Sequence, residues 1–218
     1  MKRTAMWAAF VMATLTAAIA AAGEGAGGSG EQATQRLLEG NKRYVEAKAT
    51  HPNQTPARRG EVANGQHPFA AVVSCADSRV PPEIVFDQGL GDLFVVRLAG
   101  DIIDDATLGS LEYAVEHLGV ASIVVLGHER CGAVDAAVKG GEAPGHIGTL
   151  IKAIQPAVDK AKTQPGDVLD NAVRANVANA VEQLKSSAPI LKEAIEKGSL
   201  SIVGARYDLD DGAVTMLP

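Results

Sequence analysis

Four short apolar runs mark the middle and end of the chain: Phe69 to Ser74, Leu93 to Leu98, Ala121 to Gly127 and Leu200 to Gly204. Each is rich in β-branched residues, lacks polar alternation and ends within a strand's length, the pattern of a β-strand covered on both faces. Between them lie longer segments in which apolar side chains recur every three or four positions: Thr107 to Leu118, Gly132 to Lys139, Ile147 to Lys162, Val168 to Lys185 and Pro189 to Lys197. That spacing lines one face of a helix. Strands and helices alternate, so the predicted fold is α/β, a mostly parallel central sheet of about five strands with helices on both faces. The last two runs, Leu200 to Arg206 and Gly212 to Leu217, flank the acidic turn Tyr207-Asp208-Leu209-Asp210-Asp211. This predicts a hairpin, and with it an antiparallel edge strand.

Upstream, the segment Glu31 to Ala49 places Leu37, Leu38, Tyr44 and Val45 on a rough helical stripe with a soft spot at Gly40-Asn41, which predicts an N-terminal helical arm. The polar stretch Thr50 to Pro68 predicts an extended connection over the surface. One domain over residues 31–218, with the arm and connection occupying 31–68, is the simplest organisation. Residues 1–22 open with Lys2 and Arg3, run uncharged and apolar from Ala5 to Ala20 and end in small residues, the layout of a signal peptide. The alternative is a permanent membrane anchor, but the run is mostly alanine, marginal in length and followed by a Gly-rich linker at 23–30. Cleavage predicts a periplasmic or secreted protein with no membrane attachment.

Composition narrows the function classes. The 218 residues are 46% hydrophobic, which disfavours disorder, and the two cysteines cannot make a disulfide-dense scaffold. Without Lys2 and Arg3, 18 Lys and Arg stand against 26 Asp and Glu, a net charge of -8. No nucleic-acid partner is expected from so acidic a chain.

Ligands of open parallel sheets sit beyond the carboxyl ends of the strands. Two such ends carry both cysteines: Ser74-Cys75-Ala76-Asp77-Ser78-Arg79 and Gly127-His128-Glu129-Arg130-Cys131-Gly132. A spacing of two puts Cys75, Asp77 and Arg79 on one side if the chain leaves its strand extended, and a spacing of three aligns His128 with Cys131 if the chain turns into a helix. Two thiolates, an imidazole and a carboxylate suit a tetrahedral zinc ion. An exported protein with two cysteines also suits a Cys75–Cys131 disulfide. Asp77, Arg79 and His128 favour the metal, because a disulfide needs none of them.

The strings SCADSRVPPE, GSLEYAVEHLG and VVLGHERCGAV, with the closing GARYDLDDGAV, closely resemble the β-class carbonic anhydrases over the chain from about Leu37 onward. The resemblance implies Zn²⁺ held by Cys75, His128 and Cys131, with Asp77 and Arg79 as the catalytic pair orienting a zinc-held hydroxide toward carbon dioxide to give bicarbonate and a proton. It further implies substrate contacts from Gln66, Phe94, Tyr113 and Gly132, part of the pocket coming from a partner subunit; Val80, beside Asp77 and Arg79, is expected to line the apolar pocket with Phe94 and Tyr113. The assembly it implies is a homodimer or homotetramer with the N-terminal helix wrapped on the neighbour. Some members carry a tryptophan and a glycine, three residues and one residue before the first ligand, which form a second bicarbonate pocket. Here those positions are Val72 and Ser74, so the open form of the site is expected, with Asp77 a possible fourth ligand in a closed state at low pH. His67 and His117 are proton-shuttle candidates by residue type alone. Two alternatives stand beside carbon dioxide hydration: the same site acting on carbon disulfide or carbonyl sulfide, and a metal-free, disulfide-stabilised exported binding protein.

Overall fold

The computed structural model describes residues 29–218. The segment expected to be a signal peptide, residues 1–22, and all but the end of the expected 23–30 linker lie outside the described residues. In chain order the elements are α1 (Gly30–Val45), α2 (Pro56–Val62), β1 (Ala70–Ser74), α3 (Pro82–Val85), β2 (Leu93–Arg97), α4 (Asp105–Leu118), β3 (Ser122–His128), α5 (Gly132–Lys139), α6 (Ile147–Ala161), α7 (Val168–Ser186), α8 (Ile190–Glu196), β4 (Ser201–Tyr207) and β5 (Val214–Met216). The five strands form one sheet in the order β2-β1-β3-β4-β5. The first four run parallel and β5 returns antiparallel to β4.

The pleat sorts the strand residues into two cores. Ala71, Val73, Ile123 and Val125 point toward α4, α7 and α8, where Leu111, Val177, Leu184 and Leu191 cover them. Ala70, Val72, Val124 and Leu126 point the other way, onto Ala33 and Leu37 of α1 and Val85 and Phe86 around α3. β1 and β3 are buried at every position. β2, the sheet edge, is half-buried throughout, so its run, apolar from Leu93 to Val96 and ending in Arg97, is not covered as β1 and β3 are. A third cluster, from α5, α6 and α7, closes over the carboxyl ends of β1 and β3 and includes Cys75 and Cys131.

Two expectations change. The connection Thr50 to Pro68 is not wholly extended: it carries α2, started by Thr55, whose hydroxyl accepts the amide of Arg58, and by Pro56 at the first turn. Proline and polar residues there mark a helix start rather than continuous coil. The second change concerns the expected soft spot of α1 at Gly40-Asn41; the helix itself begins at Gly30 under a capping box of Ser29 and Gln32. It packs on the sheet of its own chain, with Ala33 and Leu37 each 1% exposed. Its presumed soft spot is a contact. A Cβ at residue 40 would collide with the backbone carbonyl of Phe86, so glycine is what lets the helix approach α3. Next to it, the buried Asn41 donates to the carbonyls of Val85 and Gly212 and accepts the amide of Val214, tying α1 to the closing hairpin.

Candidate metal centre

β1 and β3 are neighbours in parallel register, with Ser74 opposite Leu126, so the two half-motifs leave the sheet at the same end. Cys75 follows β1, His128 is the last residue of β3, and Cys131 caps the amino end of α5. The cysteine sulfurs and a ring nitrogen of His128 all lie within 4.8 Å of one another. The two sulfurs are 3.9 Å apart and both cysteines are free. A disulfide holds its sulfurs at about 2.05 Å. A tetrahedral zinc with Zn–S of about 2.3 Å separates two sulfurs by roughly 3.8 Å, so the spacing is that of two ligands of one ion.

The histidine supplies an independent test of fit. His128 is fully buried, and its Nδ1 lies 2.7 Å from the carbonyl oxygen of Glu129. A carbonyl only accepts, so Nδ1 carries the proton and Nε2 presents a bare lone pair. That Nε2 is buried without a hydrogen-bond partner, a costly state for a polar atom. A cation between Nε2 and the sulfurs satisfies it, and the bond at Nδ1 fixes the ring as metal-ligating histidines require. The donor set therefore fits zinc. The contact between the two sulfurs lowers the pKa of Cys75 and raises that of Cys131.

Asp77 and Arg79 join the centre through a turn rather than an extended run. The amide of Val80 bonds back to the carbonyl of Asp77, and the amide of Arg79 donates to Asp77 Oδ1 at 2.9 Å. The guanidinium of Arg79 grips the same carboxylate from Nε at 3.0 Å and Nη2 at 2.8 Å. This charge-assisted fork lowers the Asp77 pKa to about 2. Asp77 Oδ2 is 3.8 Å from His128 Nε2, beside the three donors, while its oxygens are engaged by Arg79.

The other candidates are more dispersed. Gln66, His67, Gly132 and His117 are exposed, and a Cβ at Gly132 would meet open space. Tyr113 is 48% exposed on α4, its ring tilted against that of His117 at 5.0 Å. Phe94 packs half-buried against the α4-side core. Val80 is wholly buried in the α1-side core among Val85 and Phe86, so its side chain serves packing. Val72 is buried in the same core, and the Ser74 hydroxyl is buried without a partner.

Several residues that shape the site went unrecognised in the sequence. Arg97, ending β2, donates to the carbonyls of Cys75 and Asp77 at 3.0 and 2.6 Å and so clamps the turn between them. Its signal was a lone cation within an apolar strand. The amide of Gly100 donates to Cys75 Sγ at 3.3 Å. Asp101 is 2% exposed, and burial raises its pKa to about 7. Asn176, on the apolar face of α7, reaches this loop.

Comparison with known proteins agrees with the geometry. The family profile described as carbonic anhydrase matches residues 70–214. Carbonic anhydrase 2 of Mycobacterium tuberculosis is 44% identical over 188 residues, covering 84% of this chain and 91% of that protein. The carbonic anhydrase of Mycolicibacterium smegmatis is 42% identical over 188 residues, with the same two coverages. Among solved structures, the Coccomyxa β-carbonic anhydrase in complex with acetazolamide superposes with a TM-score of 0.68 at 31% identity, covering 83% of this chain and 84% of that one. A tetrameric β-carbonic anhydrase of Sordaria macrospora gives 0.68 at 27%, covering 84% and 96%. A parallel sheet closed by an antiparallel edge strand, with a Cys-His-Cys group at its carboxyl end, defines a metalloenzyme of the α/β class. The chain belongs to the β-class carbonic anhydrases, whose reaction is the reversible hydration of carbon dioxide. This, with the free cysteines, replaces the alternative of a metal-free, disulfide-stabilised binding protein.

Proposed function

We propose that this enzyme hydrates carbon dioxide at a zinc ion held by Cys75, His128 and Cys131, with Asp77 and Arg79 directing the attack. Zinc supplies Lewis acidity that makes a water nucleophilic near neutral pH. The protein's part is orientation. Asp77, ionised down to about pH 2, only accepts hydrogen bonds across the working range, so it fixes the direction of a donor beside His128 without taking its proton. Arg79 keeps that carboxylate from becoming a fourth ligand by offering it two donors in a plane. The observation that carries the reading is this pairing: Asp77 is engaged by Arg79 while lying 3.8 Å from the unsatisfied Nε2 of His128.

The enzyme works as a homodimer or homotetramer in this reading, and the partner subunit completes the carbon dioxide pocket. The exposure of Gln66 and Tyr113 on a single chain supports this, as does the Sordaria macrospora relative described as tetrameric. Export to the periplasm or outside the cell follows from residues 1–22, and no helix among the described residues is long and apolar enough to cross a membrane. Stopped-flow hydration assays before and after zinc chelation test the core of the proposal: activity is lost with the metal and returns on adding zinc. Activity unaffected by complete zinc removal overturns it.

A further inference from the structure

The turn that follows β2 is built against local preference. Residues 98–101 close a β-turn in which the amide of Asp101 bonds the carbonyl of Leu98 at 2.9 Å. Gly100 sits at φ +75°, and Asp101, not a glycine, at φ +44°. A side chain at residue 100 would press on Ile154 and Ala133, so glycine is required there twice, for space and for conformation. Asp101 also buries a carboxyl group at the edge of an apolar cluster. A left-handed non-glycine residue and a buried carboxyl are each unfavourable, and they persist only where surrounding structure over-determines them.

One side chain supplies that constraint. Asn176 of α7 is 5% exposed and donates from Nδ2 to the carbonyl of Gly100 at 2.8 Å and to Asp101 Oδ2 at 3.2 Å. Both hydrogens of one amide thus hold the two left-handed residues. The same turn aims the amide of Gly100 at Cys75 Sγ, 3.3 Å away.

We propose that Asn176 is a positioning residue of the metal centre, which locks the Gly100–Asp101 turn so that the Gly100 amide stays hydrogen-bonded to the Cys75 sulfur. This rests on the reading of Cys75, His128 and Cys131 as zinc ligands. An amide bond to a thiolate withdraws electron density from sulfur and fixes its direction, and partners of this kind set metal retention as well as orientation. Asn176 touches neither metal nor substrate, so it acts through the turn and the sulfur.

The test uses the full chain with Asn176→Leu, which keeps the branched side chain of four heavy atoms and removes both donors, and Asn176→Ser, a milder variant expected to fold in any case. A control, Val177→Ala, deletes buried volume on the same helix but within the α4-side cluster rather than the one that includes the two cysteines. Two readouts apply: zinc release to a chromogenic chelator, and the sulfur-to-metal charge-transfer band of the cobalt-substituted protein. The Asn176 variants release zinc about 10–100-fold faster and shift the band to lower energy, because the sulfur has lost a hydrogen bond. Val177→Ala lowers the unfolding temperature but moves neither readout. Wild-type release and band position in a folded Asn176 variant overturn the proposal, as does an equal change in Val177→Ala. A wild-type chain that binds no zinc overturns instead the reading of the ligands.

Discussion

Two groups of ligand-type side chains stand at the same end of the sheet, and only one is built to hold a cation. Cys75, His128 and Cys131 are buried, carry no internal cation and leave Nε2 without a partner. Glu129, Asp208 and Asp210 also lie within 4.8 Å of one another, but arginines already engage them. Arg206 bonds Glu129 at 2.7 Å, lies 3.5 Å from Asp208 and reaches Asp170 at 2.7 Å. Arg130 forks onto Asp210 at 3.0 and 2.7 Å. The amides of Asp210 and Asp211 donate to Asp208 Oδ1. Proximity of donors is therefore a poor guide to a metal site; what separates the groups is whether the lone pairs are already used. The first is left open for an ion, whereas the second locks the closing hairpin to the end of β3.

Substitutions break this comparison in order of effect. Cys75→Ser removes a thiolate that a hydroxyl does not replace, so zinc analysis finds less than one equivalent and stopped-flow activity falls to that of buffer. Retained zinc and rate in this variant refute the ligand assignment. Asp77→Asn keeps zinc, because Asp77 lies beside the donor set, but lowers kcat/KM by about 10²–10³-fold, the usual loss when one oriented group at a reacting centre is removed. Because Arg79 lowers the Asp77 pKa to about 2, the carboxylate stays charged far below neutrality. Any fall in rate between pH 8 and about pH 4 therefore arises from another group, and the Asp77→Asn profile keeps the wild-type midpoint at reduced amplitude.

How much of this was legible in the sequence follows from physics. The strands of the parallel core were visible because burial on both faces forces unbroken apolar runs, as in Val72-Val73 and Val124-Val125. The metal residues were visible because cysteine and histidine are rare here and fall just after those runs. Asn176 and Arg97 were not, because each acts across the fold on a backbone atom, 76 positions away for Asn176 to Gly100 and 22 for Arg97 to Cys75. No local pattern encodes a contact with a distant carbonyl. Gly40 misled for the same reason: weak helix propensity is visible locally, the Phe86 carbonyl it accommodates is not. The arginine-filled acidic cluster also could not be told from a cation site in the sequence, since YDLDDG alone does not show where Arg206 and Arg130 point.

Arg206→Met probes the second group. The guanidinium is mostly buried and serves three carboxylates, so its removal leaves them partly desolvated and costs about 2 kcal/mol, roughly 5 °C in unfolding temperature for a chain of this size. Zinc content stays at one equivalent. The pKa values of Asp170 and Asp208 are lowered in the folded state; Arg174 and Arg206 outweigh burial at Asp170, and backbone amides lead at Asp208. A group with a depressed folded pKa stabilises above its unfolded value and loses that contribution as acid protonates it. The stability gap between wild type and Arg206→Met is thus full above about pH 4 and narrows below it. A gap that widens on acidification contradicts this account.

The smallest effect belongs to Arg130→Ala. Arg130 lies between two zinc ligands in sequence, but its fork to Asp210 is solvent-exposed, with the partners' side chains 51% and 73% accessible. Exposed pairs contribute little, about 0–1 kcal/mol, and the left-handed backbone at φ +47° that turns His128 toward Cys131 is no less strained with alanine than with arginine. The ligands are held instead by the Glu129 carbonyl on Nδ1 and the Gly100 amide on Cys75. Arg130→Ala therefore unfolds within about 3 °C of wild type, keeps one zinc and releases it at the wild-type rate. Rapid zinc loss from this variant contradicts the separation of the two groups, because the hairpin lock and the metal centre then share a support through residue 130.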